Sequence, residues 1–163
     1  MDTAPDGAHL NVYELGVADV ERVITIDRTH SGRSRRRFFE KRFAAAAARP
    51  DDYVHIGAMR GGVMRGFAIA RILRGEFGYE QAVAVLDAIG VEATSQERGV
   101  GQALMEALSD IMRQKGVGLL QTQADWTNHD LLRFFSAAGF KLAPRLVLQR
   151  PAGELPVDTG EDV

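Results

Sequence analysis

The chain has 163 residues, 45% of them hydrophobic, a formal net charge of −2 and no cysteine. That length favours one domain with an adequate core, and the near-balanced charge gives no global drive toward nucleic acid or a membrane surface. Without cysteine, disulfides, thiolate metal sites and a cysteine nucleophile are excluded.

Met1 to Ala8 reads as a loose leader, and Met1 to Gly7 lacks the basic flank and apolar run of a secretory signal. Leu10 to Leu15 suits a strand. Asp19 to Asp27 places Val20, Val23 and Ile24 at helical spacing, and Arg33 to Ala48 predicts a second helix with Phe39 and Phe43 on one face. Arg49-Pro50-Asp51-Asp52 ends it. Val54 to Arg60 and Val63 to Ala70 flank Gly61-Gly62, a two-residue hairpin signal. After a polar loop, Arg74 to Gln81, comes the largely apolar run Val83 to Val91, expected as a central strand. A third helix is predicted from about Gly101 to Lys115, stopped by Gly116. Leu119 to Gln123 reads as a strand. Asn128 to Ala138 reads as a helix capped by Thr127 or Asn128 and stopped by Gly139. Phe140 to Leu142 and Leu146 to Gln149 are expected as a closing pair of strands. Pro151 to Val163 reads as an acidic, disordered tail after a single domain spanning residues 1–150. No apolar stretch is long enough to span a bilayer, so a cytoplasmic location is expected. His9, His30, His55 and His129 lack metal-ligand spacing, and no metal is expected.

The segment Gln96-Glu97-Arg98-Gly99-Val100-Gly101-Gln102-Ala103 lies between a strand and a helix. A helix start presents unpaired N–H groups and about half a positive elementary charge, which suits a phosphate, and glycine lets a ligand approach the backbone. A triphosphate P-loop would need Gly-Lys-Ser/Thr, whereas Gly101 is followed by Gln102 and Ala103. A dinucleotide fold would want G-x-G-x-x-G/A, and Leu104 fills the third small position. Asp125 does lie after the next strand, but four strands already precede this turn, which is unusual for that fold.

Gln96-x-x-Gly99-x-Gly101-x-Ala103 resembles the pyrophosphate motif of the GNAT family of N-acetyltransferases. Asn128 to Phe140, ending in Gly139-Phe140, resembles that family's second signature. The resemblance is strong from about Val83 to Phe140 and weaker, through element order, over Leu10 to Gln149. It implies an α/β (α+β) fold: a mixed, twisted sheet of about six to seven strands, two of which splay apart, with about four helices. Coenzyme A would enter the cleft between the splayed strands, Val83 to Val91 and Leu119 to Gln123. Backbone groups of Ile89, Gly90 and Val91 would pair with the pantetheine amides, and Gly90 inside a strand also suggests a bulge or close backbone approach. Gln96 and the amides of Arg98, Gly99, Val100, Gly101, Gln102 and Ala103 would hold the pyrophosphate. Asn128 would contact the pantetheine arm. Phe135 stands beside the cofactor where many members have a tyrosine that protonates the leaving thiolate.

The implied reaction is direct attack of an amine on the thioester of acetyl-CoA. A lysine-like amine has a pKa near ~10.4, so a base must remove its proton, and a strand N–H near Gly90 or Val91 would serve the oxyanion. Two carboxylates are candidates. Asp87 shares side-chain parity with Val85, Ile89 and Val91, and a carboxylate among apolar neighbours would act as a base, unless it pairs with an arginine or a backbone donor. Glu76 lies in the loop before that strand, where a solvated surface role is the alternative. A thiolate with a pKa near ~8.5 leaves without much help, so Phe135 need not abolish turnover.

The basic segment around Arg28, Arg33, Arg35, Arg36, Arg37, Lys41 and Arg42 borders the acceptor side in the family's arrangement. Arg33, Arg35 and Arg36 would bind an acidic acceptor or an amino-acid carboxylate, the alternative being a solvated helix face. Nucleic acid is not expected from so short a run. Asp125 and Trp126 follow the second splayed strand and would line the acceptor pocket, core packing being the alternative for Trp126. The leading expectation is an acetyl-CoA-dependent N-acetyltransferase for a small-molecule or protein amine. A second is a GNAT-fold domain that binds acetyl-CoA with little turnover, as a sensor or interaction module. A dinucleotide-binding oxidoreductase is a third reading and would require NAD(P). Family members are often dimers, which keeps a homodimer open.

Overall fold

A computed structural model describes residues 9–75, 78 and 80–153, with backbone alone at 96–98. Among these residues one sheet runs in the order β1 (Asn11–Glu14), β2 (Tyr53–Arg60), β3 (Val63–Leu73), β4 (Val83–Val91) and β5 (Leu119–Thr122). The first four strands are antiparallel neighbours, and β5 runs parallel to β4. Gly61 and Gly62, at φ 60° and 73°, form the two-residue turn joining β2 to β3.

The helices are α1 (Val20–Ser31), α2 (Arg36–Ala48), α3 (Val100–Gln114) and α4 (His129–Ala137). Strand alternation divides the core into two layers. On one face Val23, Ile26, Phe39 and Phe43 of α1 and α2 pack with Phe67, Ile69 and Ala88. On the other, Val100, Leu104, Leu108 and Met112 of α3, with Phe135 of α4, pack on Val54, Ile56, Ala68, Ala70 and Leu86. The apolar spacing of α3 and the Gly116 stop at φ 70° put this helix within a residue of its expected span.

Two expectations are corrected. Helix α1 runs four residues past Asp27, because Arg28 to Ser31 form a solvent-facing last turn before Gly32 ends it at φ 68°. The sheet has five strands, not six to seven, among the described residues. Phe140–Leu142 and Leu146–Gln149 carry strand-like residues, but no sheet edge receives them, and Leu142, Leu146 and Leu148 stay exposed. No helix among the described residues is long and apolar enough to cross a membrane.

Candidate active site

Strands β4 and β5 pair only from Val83 to Leu86, opposite Leu119 to Thr122. Beyond Leu86, β4 continues to Val91 with no strand paired on its β5 side among the described residues, and this unpaired edge is the candidate opening. Its chemistry follows from peptide alternation. The Glu92 N–H donates to the Arg65 carbonyl at 2.7 Å, and a strand residue turns its N–H and C=O to the same side. Gly90 therefore faces β3, while Ile89 and Val91 turn their peptide groups into the opening. The Val91 carbonyl there meets Nε2 of His30, from the last turn of α1. Gly90 serves packing: a Cβ on it would lie 2.6 Å from Cε1 of Phe67.

The exit of β4 is clamped by Glu92, which ion-pairs with Arg22 and Arg65 at 2.7 Å each. Their guanidiniums, Arg65 foremost, hold its carboxyl below the usual carboxylate range. A short 3-10 segment, Ala93–Arg98, then leads to Gly99, whose φ of 72° is the left-handed conformation that favours glycine. Gly99 has open space around it. The N–H groups of Val100, Gly101 and Gln102 form the first turn of α3 and have no helical acceptor. Ala103 differs from expectation, since its N–H already donates to the Gly99 carbonyl at 3.0 Å. The Val100 side chain is core, and Gly101 makes room for the Phe134 ring, which a Cβ would meet at 2.8 Å. Gln102 is exposed and bonds Glu106 at 2.8 Å. The side chains of Gln96 and Arg98 lie outside the described residues, as does Glu76.

Asp87 does not sit as its parity suggested. Ala70 pairs with Leu86 and Ile69 with Ala88, so Asp87 is the extra residue of a β-bulge. The bulge turns Asp87 toward α2 and returns Ile89 and Val91 to the α3 face. Its side chain, 7% exposed, meets Arg71 Nε at 3.0 Å and Arg42 Nε at 2.9 Å. The expected apolar surroundings are thus replaced by two guanidiniums.

After β5, the Asn128 Oδ1 caps α4 by accepting from the Leu131 N–H at 3.2 Å, which leaves its Nδ2 as the donor end. Asp125 accepts from both the Thr127 hydroxyl and the Thr127 N–H, bonds that lower its pKa. Trp126 is 82% exposed, so core packing does not explain it. Phe135 is buried in the α3 layer against Phe134 and Phe140, 5.5 and 5.0 Å between ring centroids. It is held by the core, and phenylalanine carries no proton to donate there.

A family model described as the acetyltransferase (GNAT) family matches residues 20–140. The chain belongs to that family. It is 29% identical over 104 residues to the ribosomal protein bS18-alanine N-acetyltransferase of Escherichia coli (strain K12), a match spanning 64% of this chain and 64% of that relative's length. Among solved structures, the fold is similar to a transcriptional regulator from Bacillus halodurans C-125 (TM-score 0.74, 18% identity, 88% of this chain and 99% of that one). It is also similar to the aminoglycoside N-acetyltransferase AAC(6')-Iy in complex with CoA (TM-score 0.73, 21% identity, 92% of this chain and 99% of that one). The GNAT fold is the architecture all of these share.

In this GNAT chain the arginines of the α1–α2 connection divide into two groups. Arg35 pairs with the buried Asp27 at 2.9 Å and lies over the rings of Phe38 and Phe39, 5.3 and 5.4 Å from their centroids. Arg36 bonds Glu21 at 2.9 Å. Both are therefore engaged in holding α1 to α2. Arg33 and Arg37 are exposed beside a shallow hollow that these four arginines share with Phe38. His30 is the site residue that sequence reasoning passed over. Its signal was there: it sits at the end of an amphipathic helix, but only the fold brings that end to the free edge of β4. Among the described residues no His, Asp and Glu side chains gather as a metal-binding group.

Proposed function

We propose that the chain transfers the acetyl group of acetyl-CoA to a primary amine by direct attack. The observation that carries this reading is the pairing of two features at one opening: Ile89 and Val91 peptide groups turned off the sheet, and the free first-turn N–H groups of α3. The first suits the amides of a pantetheine arm, and the second suits a pyrophosphate. A backbone N–H of the β4 edge offers a fixed dipole to the thioester oxygen as negative charge develops on it. Val100, Gly101 and Gln102 supply the anion-binding amides, with Gly99 allowing their approach, and Asn128 Nδ2 donates from the other wall. Asp87 holds the bulge to α2 and β3 in this reading, and Glu76 remains a candidate proton acceptor from the loop before β4. Phe135 leaves the departing thiolate to water, which a pKa near ~8.5 permits.

For the acceptor, the exposed Arg33 and Arg37 favour an amine that also carries negative charge, such as a peptide α-amine with acidic neighbours. They disfavour a polycationic aminoglycoside. Trp126 and Asp125 are assigned to the same side. The reading is tested by coenzyme A thiol release with two acceptors, a peptide with an N-terminal alanine and sisomicin. Release that requires the peptide supports it. Acetyl-CoA binding with no amine-dependent release would favour the second reading, a binding module, which Phe135 in place of tyrosine keeps open.

A further inference from the structure

Among the described residues, three carboxylates of α1 and β4 and its exit are committed to guanidiniums. Asp27 pairs with Arg35, Asp87 with Arg42 and Arg71, and Glu92 with Arg22 and Arg65. His30 stands apart from them, an exposed imidazole whose Nε2 contacts the Val91 carbonyl. A carbonyl oxygen only accepts, so Nε2 carries the hydrogen in this contact, and the neutral ring then holds its lone pair on Nδ1. Val91 is also one of the two residues whose peptide groups face the opening. The contact thus fixes both the tautomer and the position of the ring beside the edge assigned to the thioester.

We propose that His30 is the general base of the acetyl transfer, an inference that rests on the reading above. Nδ1 takes a proton from the acceptor's ammonium group, and the freed amine nitrogen attacks the thioester carbonyl carbon. The C–N bond forms, the C–S bond breaks, and the sulfur leaves with the electron pair. The attacking nitrogen's second proton passes through water to the sulfur, and the imidazolium returns its proton to solvent. The net products are an amide, a thiol and the released proton.

The test uses His30→Gln, whose side-chain amide still donates to the Val91 carbonyl but takes no proton. Two probes are compared as acceptors: ethylamine, protonated at neutral pH, and 2,2,2-trifluoroethylamine, whose fluorines leave it largely neutral there. The expected result is a fall in kcat/KM for ethylamine of about 100-fold or more, little change for trifluoroethylamine, and an unchanged acetyl-CoA Kd. Equal losses on both amines would make His30 a tie between α1 and β4 and overturn the proposal, as would no loss on either. A wild-type chain that binds acetyl-CoA yet acetylates neither amine overturns the acetyl-transfer reading in favour of a binding module, and the proposal falls with it. A wild-type chain that fails to bind acetyl-CoA overturns the acetyl-transfer reading itself, and the binding measurement separates that outcome from the others.

Discussion

Gly90→Ala isolates the packing of β4 against the α1–α2 layer. The added Cβ would lie 2.6 Å from Cε1 and 3.0 Å from Cζ of Phe67, and 3.3 Å from Cγ2 of Ile26. Phe67 cannot retreat cheaply, because it is fully buried and packs edge-on against the buried Phe39 at 5.7 Å between centroids. Overpacking of this kind costs about 1–3 kcal/mol. Opposing it, a Gly→Ala change removes unfolded-state entropy, a gain of about 0.4–1 kcal/mol. The net expectation is a loss of about 1–2 kcal/mol, or roughly 2–8 °C in Tm for a domain of this size. Gly118→Ala is the control, since its Cβ would meet only Gln81 Oε1, at 3.7 Å. The assay is urea denaturation with thermal unfolding of both variants. Equal stability of Gly90→Ala and Gly118→Ala would refute the view that glycine is required here by the Phe67 ring.

Two other predictions concern buried titratable groups of the same face. Burial, and secondarily the charge of Arg42, push the His55 imidazole down to about 4 from an ordinary 6.5. The unfolded chain therefore binds more protons between those values, so stability rises with pH across that window and is lost as pH falls from about 6.5 toward 4, by up to about 3 kcal/mol. Urea melts at several pH values should show this slope. Among the described residues neither His55 ring nitrogen has a hydrogen-bond partner, so His55→Leu should flatten the slope and raise stability near neutral pH by roughly 1 kcal/mol; an unchanged slope would contradict the assignment. Asp87→Asn leaves Arg42 and Arg71 without a counter-charge. With these guanidiniums 26% and 34% exposed, the expected loss is about 1–3 kcal/mol, below that of a fully buried pair. Lost turnover with undiminished stability would instead make Asp87 the base.

The sequence was informative where local chemistry decides the structure. Gly61-Gly62 specified its turn, the run from Val83 to Val91 specified β4 to the residue, and Thr127-Asn128 bracketed the start of α4, of which Asn128 is the cap. It was uninformative where a partner decides. The strand-like residues after Gly139 find no edge, and periodicity cannot say whether one is available. The bulge at Asp87 inverts side-chain parity, because one extra residue moves every later side chain to the other face. That reversal turned an expected carboxylate among apolar neighbours into one held by Arg42 and Arg71. Arg35 and Arg36 likewise read as free cations in a charge run, but Asp27 and Glu21 lie within reach only after α1 and α2 pack. His30 became a site residue by the same route, through a contact across 61 positions of chain.

Thermal unfolding with acetyl-CoA, and with NAD as the control, asks whether the opening beside β4 holds coenzyme A. Ligand at about 100 times its Kd adds about 2.7 kcal/mol, which for this chain length raises Tm by roughly 5–10 °C. That rise is expected with acetyl-CoA and none with NAD. No shift at millimolar acetyl-CoA would mean that the opening between β4 and β5 is not a coenzyme A site, and the proposed acetyl transfer would fall with it.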